Sequence, residues 1–212
     1  YVPRIRSVNK ALGKQDESIE FLLIQFVSLL RNGEPVSMSK RAGTFVTLRE
    51  VMDEVGGDAA RFFFVNRKCD SHLEFDLEVA KRTSSENPVY YVQYAHARIC
   101  SILREAALRG FQLPGVGDVD FTLLSDPCEV RLAKEISRFP EEVEKASSSL
   151  EPHRIAFYAS GLAEAFHSFY NSLKVLGESP DLMNARLTLV EASRVTVSNA
   201  LKLLGVSAPE KM

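Results

Sequence analysis

A polar stretch at residues 36 to 45 carries the side chains best suited to chemistry in this sequence. It reads "VSMSKRAGTF" and places Ser39, Lys40 and Gly43 between an apolar run and the start of a helix. Glycine gives a loop backbone freedom, and an ammonium group beside hydroxyls can stabilise charge on a phosphate chain. The spacing of a Walker loop is absent. On spacing alone, we favour a solvated polar turn over a phosphate-handling loop.

A second candidate is the aromatic stretch "NPVYYVQYAHAR", which includes Tyr90 and should be helical. In a helix, Tyr91 and Tyr94 share a face with Ala95 and Arg98, because these residues are three or four positions apart. Aromatic rings beside a guanidinium group suit stacking against unpaired RNA bases. The alternative is that the tyrosines pack against neighbouring helices with their hydroxyls at the rim.

Other polar and aromatic residues carry weaker signals. A basic cluster could contact RNA phosphates, although solvated helix faces with paired charges explain it equally well. The cluster consists of Arg61, Arg67, Lys68, Lys81 and Arg82. We assign the aromatic stripe in "FHSFYNSLKVL" to the core, since it follows an apolar helix face. His167 lies beside that stripe and has no sequence partner, so we assign it no role.

Composition limits the class of protein. The chain has 212 residues, 45% of them hydrophobic, and a net charge of −2, which gives no global attraction to nucleic acid. A sequence without a long apolar run or a signal peptide predicts a soluble, cytoplasmic protein without membrane contact. Cys69, Cys100 and Cys128 lack metal-site spacing and are expected to be reduced thiols. We expect no metal site, and the opening at Tyr1 suggests a piece of a longer protein.

The first elements include one predicted strand. Residues 18 to 30, "SIEFLLIQFVSLL", are nearly all apolar and predict a buried strand of a largely parallel sheet, with its neighbours upstream of Tyr1. An Asn-Gly turn follows. Thr47 and Glu50 form a capping box for a helix that should end at the glycine pair 56 and 57. Asp58 should start another short helix, and residues 73 to 82 predict an extended turn followed by one or two helical turns.

The remaining chain predicts a helical bundle. Asn87 and Pro88 should start a long helix. Residues 110 to 125 break every periodicity and predict a linker. Asp126, Pro127 and Glu129 should supply the cap, the first-turn proline and the capping-box acid of the next helical stretch. Pro140 divides this stretch into two segments. An apolar stripe from 155 to 176 and a final helix stopped at Gly205 complete about four antiparallel helices.

Several motifs together resemble a known family. "SMSKRAGT" is similar to the KMSKS signature loop of class I aminoacyl-tRNA synthetases. Its flanks, with "SENPVYYVQYAHARICSIL" and the terminal "LLGVSAPEKM", resemble bacterial arginyl-tRNA synthetases over essentially the whole chain. The resemblance implies a mainly α fold: the end of a Rossmann-type catalytic domain (1–46), a stem-contact helical region (47–86), and a helical anticodon-binding domain (87–212).

The resemblance also implies roles for individual residues. The ATP-binding loop would comprise Met38, Ser39, Lys40, Arg41 and Gly43. Lys40 matches the lysine that stabilises the ATP phosphates, with Ser39 beside it as the second catalytic residue. Ser37 replaces the first signature lysine, which puts a second lysine contact in doubt. The anticodon pocket would include Tyr91, Ala95 and Met212, with Tyr94 and Arg98 as neighbours.

The implied activity is ligation of L-arginine to tRNA(Arg) at the expense of ATP, through an arginyl-adenylate. Mg²⁺ would accompany ATP, held largely through the phosphates. No HIGH motif occurs in this sequence, so we expect the chain alone to be unable to activate arginine. We also expect a monomer. One alternative is a helical RNA-binding module without catalytic activity. Another is a related class I synthetase, such as the cysteinyl type.

Overall fold

The fold is mainly helical, as predicted. A computed structural model describes residues 1–38 and 45–212, and within these ranges it contains nine α-helices and three short strands. In chain order the elements are α1 (Val2–Ala11), β1 (Val27–Arg31), β2 (Glu34–Pro35), α2 (Leu48–Val55), α3 (Gly57–Val65), β3 (Leu73–Asp76), α4 (Leu77–Lys81), α5 (Pro88–Leu108), α6 (Pro127–Ser137), α7 (Phe139–Ser148), α8 (His153–Ser172) and α9 (Pro180–Leu204).

The three strands form a mixed sheet in the order β2-β1-β3. β1 and β2 make an antiparallel hairpin through the predicted Asn-Gly turn, where Asn32 and Gly33 have φ of 52° and 81°. β1 pairs in parallel with β3, from Val27 opposite Leu73 to Leu30 opposite Asp76. The prediction of an extended turn missed β3.

The predicted strand over residues 18 to 30 is correct only for its last part. Residues 19 to 26 have no regular secondary structure, and Leu23, Ile24 and Phe26 are 73%, 76% and 87% exposed. A strand is buried only where neighbours cover it, and β2 and β3 span two and four residues. The apolar run therefore extends beyond the sheet that could bury it.

Local signals set most helix ends. Thr47 and Glu50 form the predicted capping box of α2, which ends at Gly56 with φ of 85°. α3 begins at Gly57, so the predicted start at Asp58 is one residue late. α5 begins at Pro88 as expected. The Asn87 side chain does not cap it but donates instead to the carbonyls of Ala80 and Arg82, both at 2.9 Å.

The helical bundle comprises α5 to α9, with α8 packed against all four other helices. Asp126 and Glu129 form the predicted capping box of α6, and α7 starts next to Pro140 as expected. Residues 110 to 125 contain two 3₁₀ turns and no α-helix. α8 ends at Ser172, earlier than predicted, which leaves residues 173 to 179 as a connection to α9. The core is continuous from β1 and β3 through α3 into the bundle.

Candidate functional site

The polar loop is anchored at both ends, but its central residues lie outside the described ranges. These are Ser39, Lys40, Arg41 and Gly43. On one side, the Val36 amide donates to the Leu29 carbonyl at 2.9 Å, and Met38 is exposed. On the other side, the capping box at Thr47 starts α2. The roles expected of the loop therefore stay predictions.

A cluster of aromatic rings covers one surface of α5 and α8. Tyr90 and Tyr94, one helical turn apart, stack with ring centroids 6.0 Å apart and an interplanar angle of 8°. The His167 ring from α8 lies 5.8 Å from Tyr94 and 4.8 Å from Tyr91. All three tyrosines are partly exposed, so the cluster presents aromatic faces to solvent.

Arg98 contacts one ring of this cluster and a further tyrosine ring from α8. Its guanidinium carbon lies 4.7 Å from the Tyr94 centroid and 4.7 Å from the centroid of Tyr170, on α8. The guanidinium also donates to the Tyr94 hydroxyl. A cation over an aromatic face is attracted by the ring quadrupole, and arginine presents its donors in a rigid plane. The structure therefore fixes a flat cation beside exposed aromatic surface.

Arg98 and Tyr170 line an open groove of about 970 Å³. Its floor is the outer face of α5, from Tyr94 to Glu105. One wall is the connection after α8, Leu173 to Leu176, and the other is the chain terminus, Glu210 to Met212. Cationic side chains from all three parts line it together with two glutamates: Arg98, Arg104, Lys174 and Lys211 with Glu105 and Glu210.

Hydrogen bonds along α5 place the terminal residues. The Asp58 carboxylate, at the start of α3, accepts from Gln93 Nε2 at 2.8 Å and from the Ser207 amide at 3.2 Å. The Ser207 hydroxyl donates to the same oxygen. Further along, a His96 ring nitrogen is 2.9 Å from the Pro209 carbonyl. These contacts bring Met212, 114 residues from Arg98 in sequence, to the groove.

The groove lies in a part of the chain that matches a known protein family. The family model of the DALR anticodon binding domain matches residues 92–212, more than half of the chain. The chain belongs to the DALR anticodon-binding domain family. The matched residues include most of α5, all of α6 to α9 and the terminal segment, so the groove is a feature of the DALR domain.

Similar proteins span more than the DALR domain. The chain is 54% identical to an arginine–tRNA ligase of Syntrophotalea carbinolica and 52% identical to one of Moorella thermoacetica. It is matched over its full length in both cases, but spans 38% of the length of these curated relatives.

Two solved structures are also similar to this chain. A Campylobacter jejuni protein assigned as an arginyl-tRNA synthetase superposes with a TM-score of 0.87 and 37% identity, covering all of this chain and 45% of that one. Thermus thermophilus arginyl-tRNA synthetase superposes with a TM-score of 0.70 and 28% identity, covering 87% of this chain and 34% of that one.

The residues predicted to bind RNA lie in different environments in the structure. Tyr94, Arg98 and Met212 line the groove of the DALR domain, and Tyr91 lies beside it in the aromatic cluster. Ala95 is 0% exposed and belongs to the hydrophobic core, and its expected contact with RNA stays a prediction. Burial raises the pKa of Tyr91, which further favours the protonated hydroxyl.

Sequence reasoning missed other residues of this surface. His167, given no role, stacks with Tyr94 and lies against Tyr91 at a tilt of 48°. Burial lowers its pKa, which favours the neutral ring. Phe166 and Phe169 are buried as predicted, but Tyr170 from the same stripe reaches the groove. The periodicity of the sequence does not indicate that Tyr170 or Asp58 belongs to this surface, because each contacts residues that are distant in sequence.

Two of the five residues in the basic cluster, Lys81 and Arg82, form ion pairs. Lys81 lies 3.0 Å from Glu54 and 2.7 Å from Glu78, and Arg31 pairs with the same two carboxylates at 2.7 and 2.6 Å. Hydrogen bonds from Arg31 and Lys81 lower the pKa of Glu54 to about 2. Arg82 pairs with Glu86. Paired cations attract phosphates weakly, so the alternative of solvated, paired charges is confirmed for Lys81 and Arg82.

Residues 1–38 and 45–212 contain neither a metal-binding cluster nor a membrane-spanning helix. No group of histidine, cysteine, aspartate and glutamate side chains there could hold a metal ion. None of the helices described is long and apolar enough to span a bilayer.

Proposed function

We propose that this chain is part of an arginine–tRNA ligase and that the groove of its DALR domain binds the anticodon loop of tRNA(Arg). The observation that carries this proposal is the Arg98 guanidinium, held 4.7 Å from the Tyr94 and Tyr170 ring centroids inside an open groove. The similarity to arginine–tRNA ligases, which extends over the whole of this chain, supports tRNA(Arg) as the RNA that binds.

The groove offers the two kinds of contact that unpaired RNA requires. Partly exposed tyrosine rings and a planar guanidinium provide stacking surfaces, and each stacked base contributes ~1–3 kcal/mol. Arg104, Lys174 and Lys211 bring positive charge to the groove, where the phosphate backbone of a splayed loop would run. Met212 supplies an apolar contact at the groove's end.

The polar loop has a separate role in the proposal. Lys40 and Ser39 would act on ATP during arginine activation, with Met38, Arg41 and Gly43 completing the phosphate-binding loop. Mg²⁺ would enter with ATP, and the domain division at residues 46 and 86 belongs to the same proposal. In a whole ligase containing this chain, Lys40→Ala should slow arginine-dependent ATP–pyrophosphate exchange roughly 10²-fold. The exposed Lys14→Ala variant should leave the rate unchanged.

RNA binding to the chain itself tests the groove. We expect Arg98→Ala to raise the Kd for a labelled tRNA(Arg) transcript roughly tenfold, because it removes the stacking plane and one phosphate contact. Tyr91→Ala should weaken binding less. Fluorescence anisotropy gives the Kd, and circular dichroism confirms unchanged helicity.

The matched control is Arg131→Ala, which also removes one positive charge. Arg131 lies on α6 and pairs with Glu164 on α8. Arg131 does not line the groove. Equal losses of affinity in Arg98→Ala and Arg131→Ala would indicate binding through net charge and reject the groove.

A further inference from the structure

A buried ion pair lies behind one wall of the groove. Glu129 on α6 is 1% exposed and Arg186 on α9 is 6% exposed. Removing two charges from water costs several kcal/mol per ion, and their attraction often does no more than offset this cost. A buried pair is therefore weak evidence for a contribution to stability, and its other contacts indicate what it does.

The Arg186 guanidinium joins three segments. Its Nε donates to Glu129 Oε1 at 2.7 Å, and its Nη1 donates to the backbone carbonyl of Lys174 at 2.7 Å. The same Nη1 is 3.6 Å from Glu178. The second Glu129 oxygen accepts from the Asp126 amide at 2.9 Å, within the capping box of α6. Two helices thus hold one carbonyl of the connection between α8 and α9.

That carbonyl belongs to the groove wall. Lys174 is exposed and lines the groove, although its backbone carbonyl is bound from the interior side by Arg186. Val175, the next residue, is buried and also lines the groove. Residues 174 to 178 make no helical hydrogen bond, because α8 ends at Ser172, where the Leu173 amide donates to the Phe169 carbonyl at 3.0 Å. Its path therefore depends on such anchors.

We propose that Arg186 and Glu129 are positioning residues for the groove, which set its affinity for RNA by holding the wall at residues 173 to 176 without contacting RNA. This inference rests on the proposed RNA-binding function. Arginine suits the task because its planar fork donates in several directions at once, whereas a lysine ammonium is a single point of charge.

Two variants separate positioning from folding. Arg186→Lys keeps a cation opposite Glu129 but loses the simultaneous contact with the Lys174 carbonyl. The double variant Glu129→Leu with Arg186→Met removes both buried charges, a replacement that proteins often tolerate without loss of stability. The matched control is Tyr158→Phe, which removes a partly buried hydrogen bond from α8 to the Glu135 carbonyl. This bond is 2.7 Å long and lies outside the groove.

The first measurement is amide hydrogen exchange of the free 212-residue chain. We expect exchange at residues 173 to 179 to accelerate about tenfold or more in Arg186→Lys and in the double variant, with the rest of the bundle unchanged. Tyr158→Phe should not affect this segment. Unchanged exchange at 173 to 179 in folded variants would overturn the proposal.

The second measurement is the Kd for the tRNA(Arg) transcript. Both variants should bind about tenfold more weakly at full helicity, since RNA must then order the wall. Wild-type affinity in a folded double variant would overturn the positioning role, even if exchange had accelerated. If the unaltered chain binds no RNA, the proposed function fails, while the exchange data still decide whether this pair holds the wall.

Discussion

The leading segment (residues 1–55) and the helical bundle (α5 to α9) differ in how they bury apolar side chains. Among the described residues of the leading segment, only Leu29 and Val51 are buried, and α1 has no buried residue. In the bundle, α8 alone buries Phe166, Phe169 and nine further residues. Both regions are rich in leucine, isoleucine and phenylalanine, so apolar composition alone does not decide burial. A side chain is buried where neighbouring elements cover it on several sides.

The largest expected difference between the two regions is the cost of removing a phenylalanine. Phe166→Ala should lower the free energy of unfolding by ~3–5 kcal/mol, because Phe166 is fully buried. Phe26→Ala should change it by less than ~0.5 kcal/mol, because Phe26 is 87% exposed. Urea unfolding followed by circular dichroism measures both. A comparable loss in the two variants would show that the leading segment is packed in solution.

Asp58 tests the contact between the terminal residues and α3. Asp58→Ala removes the acceptor shared by Gln93 and Ser207, so we expect a loss of ~1–3 kcal/mol and faster amide exchange at residues 206 to 212. Asp53→Ala, an exposed carboxylate on α2, serves as the control. Unchanged exchange in Asp58→Ala would mean that other contacts hold the terminus.

The two capping boxes allow a comparison at equal chemistry. Asp126→Ala and Thr47→Ala each remove an N-cap side chain, a change that costs ~0.5–2 kcal/mol. In α6 the loss should appear in global unfolding, because the cap joins the bundle core. In α2 it should appear as faster local exchange of the first turn. Global losses of equal size would show that α2 unfolds together with the bundle.

The smallest expected effects concern pH. Burial lowers the pKa of His153 and His167, so the stability that these neutral rings contribute is complete above pH 6.5 and decreases as pH falls below it. The pKa of Glu54 is lowered from 4.5 to about 2, so its contribution is present above pH 4.5 and is lost toward pH 2.

Two variants test whether His167 and Glu54 cause these two pH dependences. His167→Gln should reduce the decline in thermal stability between pH 7 and pH 5, because it removes one of the groups that titrate there. Glu54→Gln should affect only the decline below pH 4.5. A pH profile of His167→Gln identical to wild type would show that His167 does not titrate differently in the folded chain.

Local signals predicted the helices well because they act over a few residues. The capping boxes at Thr47 and Asp126, the proline starts of α5 and α6, and the glycine after α9 all lie at the predicted positions. The strand over residues 18 to 26 was wrong, and β3 was missed, because strand formation depends on partners that are distant in sequence.

The sequence alone determined the helical bundle and the shared helix face of Tyr91, Tyr94 and Arg98, since helix periodicity places these residues without knowledge of any neighbour. The tertiary structure decided that Ala95 is buried and that Tyr170 joins Arg98. It also decided how the terminal residues and the wall at 173 to 176 reach the groove, through Asp58 and Arg186. Such contacts join residues far apart in the chain, and only packing of the whole core brings them within hydrogen-bonding distance.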